Sequence, residues 1–380
     1  MDFDFSDDQE MLRDTVRRWV ERGYDFERRR AIVKAGGFSR DAWNEIAKLG
    51  ILGLQVPEAQ GGLGLGPVDA MVVLEELGRG LVLEPYAPVA LVATSVLMAG
   101  GHEAAAAPRL QHIAEGKEIV VLAHEERHSR YRLSHVETTA HGSGGSWRLS
   151  GQKIAVPAGA TANAFIVPAR VSGAVDDAAG IGIFLVSPGQ PGVEVRAYPT
   201  QDGASGADLV LKEAAGIELV APGTAFAALE RAADVGIAAL CAEAVGAMDR
   251  LVAITVEYMN TRKQFGVPIA SFQALRHRIA DVKMQLELAR SMSYYATLKL
   301  GEAPAARRRA LAQAKVQLGN SMRFVGQQCI QLHGGIGVTD EYAASHYFKR
   351  LTVIEMTFGD TLFQLGEVSR RMQTTAGVFA

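Results

Sequence analysis

The chain has 380 residues, 39 Lys+Arg against 42 Asp+Glu, nine His, a net charge of −3 and 48% hydrophobic residues. Single hydrophobic cores stop growing near ~250–300 residues, so this length predicts two or three packed domains of a globular protein and excludes a lone small module. The balanced charge gives no basic footprint for nucleic acid, and the Arg28–Arg30 and Arg307–Arg309 triplets read as solvated helix faces.

The opening Met1-Asp2-Phe3-Asp4-Phe5 is acidic where a secretory signal needs positive charge and then an apolar stretch, so the expected location is cytoplasmic. Ser6 can cap a helix from Asp7 to Arg22, and Ser39 one that runs through Trp43, Ile46 and Leu49 to a terminating Gly50. The Gly61–Pro67 run lacks a Lys-Ser/Thr ending and follows no strand, which makes it a turn rather than a phosphate loop. A third helix, Val68 to Leu77, should stop at Gly78. The most apolar window, Leu81 to Gly101, is broken by Glu84, Pro85 and Pro88, too short for the ~20 residues of a membrane span, and reads as core.

From Glu118 the period changes to β-type runs at 119–122, 135–140, 147–154, 164–167, 180–186, 193–198 and 208–212, with a Gly-Ser hairpin at Gly142–Ser146. They predict a compact antiparallel barrel or sandwich. Helical periodicity returns after Pro222 and Gly223. Small residues crowd one long helix around Gly236, Ala239, Ala242 and Gly246. Phe272, Leu275, Ile279, Val282, Leu286 and Ala289, and then Leu311, Leu318, Met322, Val325, Cys329 and Leu332, follow the spacing of a bundle seam. Cys241 and Cys329 both lie in apolar helical runs; they exclude a disulfide framework and read as buried thiols in a reducing compartment. The expected class is α+β: an all-α domain over 1–117, a β domain over 118–222 and a C-terminal four-helix bundle over 223–380.

Two segments of the last domain carry a resemblance. Tyr258-Met259-Asn260-Thr261-Arg262-Lys263-Gln264-Phe265-Gly266-Val267-Pro268-Ile269, followed by Phe272-Gln273, and Gln331-Leu332-His333-Gly334-Gly335-Ile336-Gly337, followed by Glu341-Tyr342, together resemble the signatures of the acyl-CoA dehydrogenase family. The resemblance spans the whole chain and implies FAD as cofactor. It also implies a flavin-binding set of Arg262, Gln264, Phe265, Gln273, Gln331, Gly334 and Gly335, most of which would reach the FAD of a neighbouring subunit. Such a role suits the chemistry, because a planar guanidinium matches a pyrophosphate and side-chain-free backbone lets a dinucleotide approach. Singly, Arg262 reads first as a surface ion pair and Gly334-Gly335 as a helix C-cap; their joint occurrence favours FAD.

The implied reaction is α,β-dehydrogenation of an acyl-CoA thioester: a carboxylate takes the α proton while the β hydrogen leaves as hydride, with an electron-transfer flavoprotein as a suitable acceptor. Here the sequence departs from the family. Phe358 stands where many members carry the catalytic Glu, and Gly236 stands at the alternative site; Glu243, Asp360 and Glu230 are the nearby carboxylates, with Glu243 and Asp360 the candidates for a recruited base. In the β domain, Ala123–Arg130 replaces the family's small and hydroxyl residues with charged ones. Ala155 and Pro157 replace its aromatic wall and hydroxyl donor. His124, His128 and His135 read as solvated loop and strand residues, with no metal constellation.

A donated flavin half-site without a resident one is similar to the small subunits of two-component enzymes of the pimeloyl-CoA dehydrogenase type, acting in fatty or dicarboxylic acid degradation. Three readings stand: a small subunit completing a large partner's FAD site in a heterotetramer, a self-sufficient homotetrameric dehydrogenase, and a flavin-free scaffold.

Overall fold

In the computed structural model, residues 5–143 and 145–375 are described. Six helices come first: α1 (Asp7–Gly23), α2 (Phe26–Lys34), α3 (Arg40–Lys48), α4 (Pro67–Arg79), α5 (Thr94–Ala99) and α6 (Glu103–Ala114). The sheet follows: β1 (Val120–Leu122), β2 (Thr139–Ser143), β3 (Ser146–Pro157), β4 (Ala164–Arg170), β5 (Ile181–Val186), β6 (Val193–Pro199) and β7 (Ser205–Val220). Then come α7 (Ala225–Thr261), the two-residue strands β8 (Lys263–Gln264) and β9 (Val267–Pro268), α8 (Gln273–Lys299), α9 (Pro304–His333), α10 (Ala343–Met356) and α11 (Thr361–Thr375). The α, β, α order is the one expected. The acidic opening at 1–4 and the hairpin tip at Gly144 lie outside the described residues.

Two compact units divide the chain. One takes the chain up to Arg30, Pro67–Val82 and Ile237 onward; the other takes Ala31–Gly66 and Leu83–Gly236. In the first, Ser6 caps α1 as expected: its Oγ accepts from Gln9 N at 3.3 Å while Gln9 Oε1 accepts from Ser6 N at 3.2 Å, a reciprocal capping box. Val16 and Val20 are buried where α1 packs on α4. Gly78 does not stop α4, which continues to Arg79. A Cβ there would overlap the Glu243 carbonyl, and one on Gly246 would overlap the Glu75 carbonyl. The two glycines let α4 and α7 cross backbone on backbone, and this packing requirement overrides the helix-stop preference.

The helices α8 and α9 pack on each other, and Leu311, Leu318, Met322, Val325 and Cys329 of α9 and Val282, Leu286 and Ala289 of α8 are all at most 1% exposed. The expected seam is thus right from Val282 onward, whereas Phe272, ahead of α8, is exposed. The helices α10 and α11 also pack on α9, so five helices rather than four follow the sheet. Both cysteines are free and buried, and burial pushes the Cys241 thiol up to about 12 and the Cys329 thiol up to about 11. The Arg28–Arg30 expectation needs correction: Arg29 is 1% exposed, donating from Nε to Leu81 O at 3.1 Å and from Nη1 to His346 Nδ1 at 3.1 Å. Arg307 is buried too.

In the second unit, Ser39 caps α3 by accepting from Ala42 N at 3.2 Å. Trp43 is fully buried and donates to Gly116 O at 3.0 Å. The sheet runs β1-β4-β2-β3-β7-β5 with β6 on β7, and a β4–β5 pairing closes β4-β2-β3-β7-β5 into a ring, as a barrel requires. It is mixed rather than antiparallel: β1 and β2 pair with β4 in parallel, because the β2–β3 hairpin and the turn after it return the chain to β4 in the direction of β1. The run expected at 135–140 is strand only from Thr139, and β7 is far longer than 208–212, since one strand pairs with β3, β5 and β6.

Candidate functional site

The ends of α7, α8 and α9 meet over a small core of Met259, Ile269 and Leu332, flanked by Tyr258, Leu275 and Ile279. Arg262 closes α7 by donating its N–H to Tyr258 O at 2.8 Å, and its own carbonyl accepts from Ile269 N at 2.9 Å. Between these two bonds the chain makes a minimal hairpin, with Lys263 paired to Pro268 and Gln264 to Val267. Its tip is Phe265 (φ 53°) followed by Gly266 (φ 81°), and two left-handed residues in succession are what a tight two-residue hairpin requires. Phe265 is left 93% exposed, in an edge-on contact with Phe272 at 6.0 Å between centroids.

On the facing helix end, Gly334 terminates α9 at φ 65°, ψ −142°, a region open essentially to glycine. At Gly335 a Cβ would point into open space, with no atom within 4 Å. Gln331, Gly334, Gly335, Arg262, Gln264 and Gln273 are all exposed, and the Arg262 guanidinium forms no hydrogen bond or ion pair among the described residues. All seven positions singled out in the sequence are therefore gathered at one end of these helices, with a free cation beside uncovered backbone.

The positions for the base look different. Phe358 adopts φ 55° and Gly359 φ 101° in the turn between α10 and α11. That turn is held by Lys315, whose buried Nζ donates to Ile354 O at 2.5 Å and Glu355 O at 3.0 Å, and by Gln364 Nε2, which donates to Phe358 O at 2.7 Å. Burial lowers the Lys315 ammonium to about 8. Asp360 serves as the N-cap of α11, its Oδ1 accepting from Phe363 N at 2.8 Å. Glu243 is buried and takes both arms of Arg350. Gly236 is buried within α7 and carries no side chain to act with.

In the β domain the Ala123–Arg130 segment buries Ala123, Glu126 and Ser129 while Arg127, His128 and Arg130 stay exposed. Glu126 is 2% exposed at the side chain and ion-pairs with the fully buried Lys153 at 2.6 Å; it also accepts from Glu137 N at 2.5 Å and Thr138 N at 3.0 Å. Burial would raise that carboxyl, but Lys153 and these donors outweigh it and hold it below its ordinary value. Ala155 (φ 50°) gives its N–H to Asp208 Oδ1 at 3.2 Å, and the same oxygen accepts from Tyr198 OH at 3.0 Å. Burial, aided by Asp208, pushes the Tyr198 phenol up to about 12. His135 is buried rather than solvated, set between Asp176 at 3.0 Å and Glu137 at 3.3 Å, and the His124 side chain is only 10% exposed, beside Glu125 at 3.3 Å. Among the described residues no group of three or more His, Cys, Asp or Glu is arranged for a metal, and no helix is long and apolar enough to cross a membrane.

Three domain profiles of acyl-CoA dehydrogenases match the chain: the N-terminal domain over residues 6–117, the middle domain over 122–213 and the C-terminal domain over 226–373. The chain belongs to the acyl-CoA dehydrogenase family. It is similar to acyl-CoA dehydrogenase FadE27 of Mycobacterium tuberculosis, 28% identical over 89% of each chain. Among solved structures it resembles a variant of the Tcur3481-Tcur3483 steroid ACAD at 29% identity and TM-score 0.88, covering 97% of this chain and 99% of that one. It also resembles the ChsE4-ChsE5 complex from Mycobacterium tuberculosis at 27% identity and TM-score 0.87, covering 99% and 100%.

As an acyl-CoA dehydrogenase the chain is an oxidoreductase with FAD as its cofactor. The helix-end site fits that group: the free Arg262 guanidinium suits a pyrophosphate and the open face of Gly335 admits a dinucleotide. The sequence reading missed His333, which is buried under this site with its ring against both Tyr258 and Tyr342. Its place beside Gly334-Gly335 was visible, but its stacking partners lie in other elements.

Proposed function

We propose that this chain is the partner-dependent small subunit of a two-component acyl-CoA dehydrogenase, of the pimeloyl-CoA dehydrogenase type. It would donate the helix-end site to an FAD seated in a large subunit. FAD, when bound, accepts the hydride and passes electrons on, with an electron-transfer flavoprotein as a fitting acceptor. The chain's own residues have the supporting tasks: Arg262 neutralises phosphate charge, Gln264, Gln273 and Gln331 supply amide donors, Phe265 covers a ring system and Gly334-Gly335 admits the pyrophosphate.

The observation that carries this reading is the absence, among the described residues, of an available base at the family's two positions. Phe358 and Gly236 have no proton acceptor, Glu243 is engaged by Arg350 and Asp360 by the first turn of α11. A general base must reach the proton it removes, and a carboxylate fixed elsewhere loses that advantage. The β domain supports the same conclusion, because its carboxylates Glu126 and Asp208 already hold the N–H groups of Glu137, Thr138 and Ala155. We further propose domain limits of 1–117, 118–222 and 223–380, the last mediating tetramer assembly.

Flavin content tests the reading. The purified chain should be colourless and co-purify with yellow flavin only when co-expressed with a large acyl-CoA dehydrogenase subunit, and Arg262→Ala or Gly335→Leu should lower the flavin content of that complex. A full complement of FAD in the chain alone would favour a self-sufficient enzyme, and no flavin in any context would favour a scaffold.

A further inference from the structure

The two halves of the helix-end site come from segments about seventy residues apart, and three rings join them. Tyr258, one turn before Arg262 on α7, lies 4.8 Å from the His333 ring at 33°. His333, the residue before Gly334, lies 5.0 Å from Tyr342, the residue before α10. Tyr258 and Tyr342 are themselves 6.4 Å apart, so each ring touches both others. His333 is only 2% exposed, and its Nδ1–H donates to Cys329 O at 2.8 Å, fixing the ring against the last turn of α9.

The Tyr258 carbonyl is the acceptor for Arg262 N–H, so the backbone that starts the hairpin and the ring that enters the stack belong to one residue. On the other side, the turn at Gly334 and Gly335 has no side chain of its own to hold it, and a Cβ at either glycine would meet nothing within 4 Å. Gly337, just beyond, lies close against the His333 side chain, where a Cβ would come within 2.9 Å of the His333 Cβ. Backbone bonds shape the turn itself, Gly334 N–H to Gln331 O and Thr339 N–H to Ile336 O, and the adjacent imidazole is the anchored ring that links it to α7.

We infer that His333, in ring contact with both Tyr258 and Tyr342, is a positioning residue that fixes the glycine turn relative to Arg262 and so sets the spacing of the two half-cradles for a dinucleotide pyrophosphate. This deepens the FAD reading and rests on it for the ligand, while the coupling itself is a property of the chain. Burial lowers the imidazole's pKa, and among the described residues no charged side chain faces it directly; the groups acting on neighbouring Tyr342 are Glu257, Tyr258 and Arg250 of α7. The ring therefore acts through its tilted contacts with the two tyrosines and its hydrogen bonding to backbone, the Cys329 carbonyl first.

Hydrogen exchange on the full-length chain, without flavin, tests the coupling. In His333→Ala, amides should exchange about ten-fold faster both at 335–337 and at 262–266, and His333→Phe, which keeps a stacking ring, should restore the 262–266 segment. Faster exchange at the turn alone, no change in either segment, or no rescue by His333→Phe would overturn the inference. If His333→Ala does not fold, Tyr342→Leu takes its place with the same expectation. In the flavin-containing complex, His333→Ala should weaken FAD retention about ten-fold with His333→Phe near the wild type. If Arg262→Ala and Gly335→Leu leave flavin untouched, the FAD reading fails while the exchange result still judges the coupling.

Discussion

Arg350 holds Glu243 in a two-pronged grip, Nε to Oε1 at 2.5 Å and Nη2 to Oε2 at 2.8 Å, joining α10 to α7. Glu243 is 8% exposed. Removing one member of a buried pair leaves the other uncompensated, at a cost of about 3 kcal/mol. Arg350→Ala should therefore shift the denaturant midpoint substantially, and Glu243→Gln less, because an amide still accepts one of the two hydrogen bonds. Neither should change the rate at which a reconstituted complex reduces its flavin, once compared at equal folded protein.

Glu75 on α4 offers a pH test. It is 6% exposed, with Arg13 at 3.7 Å and Arg290 at 3.9 Å, and burial raises its carboxyl to about 7. The raised value means that the folded state holds the proton more tightly than the unfolded chain does. The associated stability is complete below the ordinary value of 4.5 and is lost as pH rises through about 7. Glu75→Gln should thus be more stable than the wild type at pH 8, by ~2 kcal/mol, with the difference shrinking toward pH 5. Urea unfolding at the two pH values measures it, and a variant less stable at pH 8 would contradict the argument.

The α4–α7 crossing predicts a steric effect. Gly246→Ala would drive a methyl group into the Glu75 carbonyl, and Gly78→Ala would do the same to Glu243. Helix propensity favours alanine by ~1 kcal/mol in either place, but separating two helices in direct backbone contact costs more. Both variants should lose about 3 kcal/mol or more, readable as a fall in melting temperature. An increase would show that the helices stand further apart than described.

What the sequence showed and what it hid follow from the range of each interaction. The Ser6 and Ser39 caps are local, involving residues within three positions, and both could be read directly. The seven candidate flavin positions could be grouped from the sequence because they fall in two short motifs, and the structure brings them to one end of α7, α8 and α9. Asp360 could also have been recognised as a cap, since an Asp before Thr-Leu-Phe is an ordinary helix-start signal. Partners far along the chain left no such trace: Glu243 meets Arg350 from 107 residues away and Arg29 meets His346 from 317. The same holds for Gly78, whose local preference is to stop a helix and whose role is set by α7, and for the parallel β1–β4 pairing, whose direction no single strand encodes.

The central claim is that this chain supports an FAD site without supplying the base. It is tested most directly by mixing the isolated chain with FAD and acyl-CoA thioesters of varied length and terminal group, without oxygen, and following the oxidised flavin. The prediction is little or no bleaching by the chain alone and rapid bleaching once a large subunit is added, since loss of a general base costs about 10²–10⁴-fold in rate. Rapid bleaching by the isolated chain, abolished by Glu243→Gln or Asp360→Asn, would contradict the account and identify the base.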